Sequence, residues 1–127
     1  MANKAISTNK APGAIGPYSQ AVRAGNTVYV SGSIGLIPET GEFAGNDTES
    51  QTRQALQNIK NILAAEGYEM TDVVKATVLM KDIGDFNTMN NVYAEFFSEP
   101  YPARAAFQVA ALPKNGLVEI EVIAVKD

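Results

Sequence analysis

In residues 72–80, Val74, Ala76, Val78 and Met80 alternate with Val73, Lys75, Thr77 and Leu79. One set is wholly apolar and the other is mixed. Period two with unlike sets predicts a strand whose two faces meet different surroundings. Stretches of helical period lie on both sides of it. Ala55, Leu56, Ile59, Ile62 and Leu63 form one stripe over 48–66, Thr48 and Gln51 have capping-box spacing, and Gly67 suits the C′ position. Asp82 or Asp85 can cap a second helix running to about Phe97, with Phe86, Met89, Tyr93 and Phe96 or Phe97 on its stripe. Upstream, Ser19 to Ala24, the Gly25-Asn26 turn and Thr27 onward read as a hairpin within 18–36, followed by a polar loop from Pro38 to Gly45. Pro100 and Pro102 break the chain, a strand begins near Arg104, and Leu117–Val125 is the last strand. The order β-β-α-β-α-β-β predicts an α+β fold, two helices on one face of a mixed sheet.

Arg104 is the residue this fold must explain. It is one of three arginines, and Ala105-Ala-Phe-Gln-Val-Ala-Ala-Leu follows it, nearly all apolar. A guanidinium is costly to bury without an anion, so a protein carboxylate or an anionic ligand is expected beside it. The chain has no histidine and no cysteine. Imidazole bases, thiol nucleophiles and soft metal ligands are therefore absent, and chemistry falls to arginine, carboxylates, hydroxyls, backbone groups and water. A net charge of −4 argues against a broad nucleic-acid footprint. At 127 residues one domain is expected. The first ten residues lack an apolar run, and no stretch approaches the ~20 apolar residues of a membrane span. A cytoplasmic protein without membrane association is expected.

Alternation places Arg104, Ala106 and Gln108 on one face of their strand, and Glu119, Glu121, Ile123 and Val125 on one face of the last. With Lys75, Thr77, Val73 and Leu79 these would form a second sheet face, half polar and half apolar. A homo-oligomeric interface enclosing polar pockets suits such a face. If the two strands are neighbours, Arg104 meets a glutamate, either as a structural ion pair or as part of a site. Tyr18 in Gly16-Pro-Tyr-Ser, Gly32 in Ser31-Gly-Ser and Asn90 beside the second helical stripe are further candidates. Each also has a plain structural reading: a turn with a half-buried ring, a bend, and a polar group bonded to nearby backbone. Lys75 reads as snorkelling or ion-paired.

Ala14-Ile-Gly-Pro-Tyr-Ser-Gln, Val30-Ser-Gly, Val73-Val-Lys-Ala-Thr-Val, Pro102-Ala-Arg and Val118-Glu-Ile-Glu-Val-Ile-Ala occur in that order. Together they resemble the RidA branch of the Rid family, also called YjgF or L-PSP, from about residue 10 to the C-terminus. The resemblance implies a chorismate-mutase-like α+β fold that trimerises through the sheet face away from the helices, with sites between subunits. It implies hydrolysis of 2-imino acids, such as 2-iminopropanoate and 2-iminobutanoate, to 2-keto acids and ammonia, with no cofactor. It places the carboxylate-binding arginine at Arg104 and the water-associated glutamate at Glu119. Tyr18, Ser31, Gly32 and Asn90 fall on further substrate-binding positions. The chain departs from the family pattern at Ala106, where typical members carry cysteine; a role through the backbone is open to alanine. Phe107 and Gln108 also replace commoner small and acidic residues.

In the mechanism this implies, Arg104 grips the substrate carboxylate, Glu119 accepts a proton from attacking water, and backbone near Gly32 and Ala106 bonds the imine nitrogen. Two other classes stand beside it. A metabolite-binding regulatory trimer without turnover would use the same cleft, and Ala106 is the feature that favours it. An endoribonuclease or translation inhibitor, as some relatives are named, is disfavoured by the acidic charge and the absence of histidine.

Overall fold

The computed structural model describes residues 3–127; Met1 and Ala2, which belong to the N-terminal stretch considered above, lie outside the described residues. Six strands form one mixed sheet: β1 (Lys4–Ile6), β2 (Ala21–Ala24), β3 (Thr27–Ile34), β4 (Val73–Met80), β5 (Ala103–Gln108) and β6 (Val118–Val125). Two helices, α1 (Thr48–Ala64) and α2 (Phe86–Phe96), precede β4 and β5 respectively. The strand order is β1-β2-β3-β6-β4-β5. The β4–β5 pair is parallel and all others are antiparallel. β6 therefore inserts between β3 and β4, which α1 connects, and β5 is left as an edge.

The helices fill one side of the sheet. Leu56, Ile59 and Leu63 of α1 and Met89, Val92 and Tyr93 of α2 pack with Val28, Val30, Ala76, Val78, Met80, Ile120, Val122 and Ala124, all buried. At the entry to α1 the cap is Asp47, whose carboxylate accepts from Ser50 N at 2.7 Å. The expected Thr48–Gln51 box does not form. Asp47 offers a carboxylate acceptor one residue earlier, and Gln51 is drawn elsewhere: its Nε2 donates to Gly45 O and its Oε1 accepts from Leu117 N. At the exit, Tyr68 N donates to Leu63 O and Gly67 N to Ala64 O, the paired bonds of a Schellman motif, with Gly67 at φ +77. Asp82 caps a short 3-10 turn through Gly84 N, and α2 starts after Asp85, whose carboxylate accepts from Thr48 Oγ1.

Three expectations about the sheet need correction. β1 is an added first strand; three residues are too short to show a period. Val73 is buried and Val74 exposed, the reverse of simple alternation, because the register slips between Val73 and Lys75. Most consequentially, Arg104, Ala106 and Gln108 do not share a face with Glu119. Arg104 pairs with Ala76, which pairs with Val122, then Val30, Ala21 and Ile6, a row of buried residues under the helices. Glu119 belongs to the opposite row of Ile34, Leu79 and Phe107. Alternation fixes which residues share a face within a strand; only the pairing register fixes which face that is.

The face away from the helices carries Tyr29, Lys75, Thr77, Leu79, Phe107, Glu119, Glu121 and Ile123, with Tyr29 and Phe107 about half exposed. Among the described residues no helix is long and apolar enough to cross a membrane.

Candidate functional site

Arg104 ends its buried row on the edge strand, where no further strand covers it. Its guanidinium is held by α2. Nη1 donates to Asn90 Oδ1 at 2.6 Å, and Cζ lies 4.6 Å from the Tyr93 ring centre and 5.4 Å from that of Phe86. Residues 86, 90 and 93 recur at helical spacing, so one face of α2 builds the whole cradle. Among the described residues no carboxylate forms an ion pair with Arg104; those pairs involve Lys4, Arg23 and Arg53. The cation is thus half-buried against two aromatic rings, and no carboxylate among the described residues neutralises it.

The edge position adds backbone donors. Val109 N donates to Met80 O at 2.9 Å, toward β4. N–H directions alternate along a strand, so Ala103, Ala105 and Phe107 also face β4, while the N–H groups of Arg104, Ala106 and Gln108 face the open edge. Ala106 therefore offers a backbone N–H at the open edge two residues along from Arg104, a role alanine fills as well as any residue. The Gln108 side chain is engaged: its Oε1 accepts from Ile83 N.

A second cluster lies on the other side of the sheet. Between Val30↔Val122 and Ser33↔Ile120, Ser31 and Gly32 together oppose the single residue Glu121, a β-bulge. The Glu119 carboxylate lies over Gly32; a Cβ there would come within 2.9 Å of Glu119 Cδ. Any larger residue at this position would make the Glu119 carboxylate shift. Burial pushes the Glu119 carboxyl above the usual range, and the neighbouring charge of Glu121 adds to the shift. The Ser31 hydroxyl donates to Ser19 O at 2.6 Å and its N–H to Gln20 O, which pins the loop carrying Tyr18 beside the bulge. Tyr18 is exposed, and its hydroxyl accepts from Ile15 N. Lys75 is exposed on this same face, with no ion pair among the described residues.

The sequence-derived residues thus fall into two half-sites: Arg104, Asn90 and Ala106 on the helix side, and Glu119, Gly32, Ser31 and the Tyr18 loop at β3–β6. β4 separates Arg104 from β6, about 10 Å across two strand spacings, and the side chains point to opposite faces. The expected Arg104–glutamate neighbourhood does not exist within one chain. Phe86 and Tyr93 were legible only as core stripe; their spacing from Asn90 was the available sign that they would share its partner.

The sequence pattern of the family described as Endoribonuclease L-PSP matches residues 8–126. The chain belongs to the L-PSP family. It is 55% identical to the 2-iminobutanoate/2-iminopropanoate deaminase of Bos taurus over 126 residues, covering 99% of this chain and 92% of that one. Among L-PSP-like folds, the crystal structure of RidA from a Psychrobacter species superposes with a TM-score of 0.94 at 52% identity, covering 97% of this chain and 99% of that one. E. coli TdcF with bound serine superposes with a TM-score of 0.93 at 47% identity, covering 98% and 99%.

Proposed function

We propose that the protein hydrolyses 2-imino acids to 2-keto acids and ammonia, as a homotrimer whose sites join the helix-side cluster of one subunit to the bulge-side cluster of the next. One observation carries the reading: Arg104 is held over the Phe86 and Tyr93 rings and by Asn90 without an ion-pair partner among the described residues. A charged fork kept available in this way is a carboxylate receptor. The relatives named as 2-iminobutanoate/2-iminopropanoate deaminases, at about half identity over nearly the whole chain, supply the substrate class. The serine bound to TdcF is likewise a small molecule with an α-carboxylate.

The chemistry follows from the two half-sites. The guanidinium and the Ala106 N–H bind the substrate carboxylate and so fix the imine carbon; backbone near Ala106 was expected from the sequence to bond the imine nitrogen, but an N–H cannot donate to an iminium nitrogen, which has no free lone pair. With the substrate as its iminium, C=NH2+, Glu119 from a neighbouring subunit accepts a proton as water oxygen bonds to that carbon and the C=N electron pair moves onto nitrogen. The carbinolamine formed carries the former imine nitrogen as an amine. Glu119 returns its proton to that nitrogen, the C–N bond breaks as the hydroxyl oxygen closes to C=O, and ammonia leaves the keto acid behind, the hydroxyl proton passing through Glu119 to solvent. A carboxyl raised above its usual range is a better proton acceptor than an ordinary one, provided it is ionised at the working pH. The sheet face bearing Tyr29, Leu79, Phe107 and Ile123 is the surface on which subunits would meet.

Ammonia release from freshly generated 2-iminobutanoate tests the reading. Acceleration over the buffer rate that disappears in Arg104→Ala is expected. Keto-acid binding without acceleration would replace it with the regulatory, non-catalytic trimer.

A further inference from the structure

Tyr93 is buried, 5% exposed, on the α2 face that meets β5. One side of its ring environment is ordinary core: Phe97 lies 4.4 Å away, centre to centre, tilted by 32°. The other neighbour is Arg104, whose Cζ sits closer to Tyr93 than to Phe86, 4.6 against 5.4 Å. The Tyr93 hydroxyl is buried with no hydrogen-bond partner among the described residues. The contacts described for this side chain are those of its ring.

We propose that Tyr93 is the positioning residue of the carboxylate receptor: its ring fixes the plane of the Arg104 guanidinium without engaging any of its N–H donors. The inference rests on the reading of Arg104 as the ligand for a 2-imino acid carboxylate. The distinction between ring and carboxylate is chemical. A glutamate beside Arg104 would orient the guanidinium too, but would occupy two donors and cancel the charge. An aromatic face attracts the cation through its quadrupole and meets its flat face, leaving the donors at its rim directed outward. Asn90 takes one of them through Nη1. The remaining donors stay available in a plane already set before the ligand arrives, which lowers the ordering entropy of binding.

The effect should appear in recognition more than in the chemical step, because Glu119 carries the proton transfer. Tyr93→Leu should weaken 2-oxobutanoate binding, measured by calorimetry, and raise KM for 2-iminobutanoate, each by about tenfold, with kcat changed by less than about threefold. Tyr93→Phe keeps the ring and should restore most of the lost affinity. Replacing Tyr93 with phenylalanines of increasing ring fluorination keeps the shape while draining the ring face of negative potential. Affinity should fall along that series, and this arm decides the matter if Tyr93→Leu does not fold. Wild-type affinity in folded Tyr93→Leu, equal loss in Tyr93→Phe and Tyr93→Leu, or a flat fluorination series would each overturn the proposal. Binding of 2-oxobutanoate reports on Tyr93 whether or not imine turnover occurs, so failure of the deaminase reading remains separately visible.

Discussion

Arg104 and Glu119 show opposite ways of keeping a charge reactive. Arg104 carries a planar guanidinium, and its environment among the described residues supplies faces and an amide rather than a counter-ion. Arg104→Lys preserves the charge but loses the planar fork and the stacking surface, so kcat/KM should fall on the order of 100-fold, in steady-state ammonia release. Glu119 is held where ionisation is disfavoured, by burial first and by Glu121 second. Its carboxylate is the proposed proton acceptor, so kcat should rise with pH along an acid limb lying above the ordinary carboxylate range. Glu119→Gln should abolish that limb and most turnover. The same shift has a stability consequence of definite sign. A carboxyl raised on folding contributes favourably below its unfolded value, and that contribution is lost as pH rises through the folded one. Glu119→Gln should therefore melt above the wild type at pH 7 and match it in acid. A melting curve unchanged by the substitution at every pH would contradict the assigned environment.

At the scale of elements, the short first strand depends on charge as much as on pairing. Glu66, just past α1, bonds Lys4 of β1 and Arg23 of β2, both at 3.0 Å, and its side chain is only 8% exposed. The hydrogen bond from Lys4, then that from Arg23, holds its carboxyl below the usual range. A depressed carboxyl stabilises above its unfolded value and loses that contribution as pH falls through the folded one. Glu66→Gln should lower Tm at pH 7 by about 2–4 °C, with the gap closing below the ordinary carboxylate range; a gap independent of pH would assign the loss to packing. The two helices, the hairpin and the last strand were legible because each repeats its period over several turns or pleats. β1 was not, having three residues. The capping of α1 was misplaced by one residue because Asp47 and Thr48 are both competent caps, and the competition for Gln51 comes from Gly45 and Leu117, the latter 66 residues away. The faces of β5 and β6 could not be compared from alternation alone. Their relation passes through β4 and needs its register to both.

At the scale of the whole molecule, the division of the candidate residues between two sheet faces is the feature with the strongest consequence. Had Arg104 and Glu119 met within one chain, a monomer could carry the full site. They do not, and the side opposite the helices leaves Tyr29 and Phe107 about half exposed on the same face as Glu119. The proposed site assembled from two copies accounts for both facts and would make activity a property of the assembly. Subunit mixing tests this directly. Arg104→Ala and Glu119→Gln chains should each be nearly inactive alone, since every site in either homotrimer lacks one half. Unfolded together in equal amounts and refolded, they should regain activity. In a random trimer each junction pairs an intact Arg104 with an intact Glu119 in about one of four cases, so about a quarter of wild-type turnover is expected. The recovered activity should co-elute with a trimer by size-exclusion chromatography with light scattering. If both residues served the same subunit's site, every mixed trimer would be as inactive as its parents. That result, with mixed trimers verified by mass, would place the whole reaction within one chain and refute the shared site.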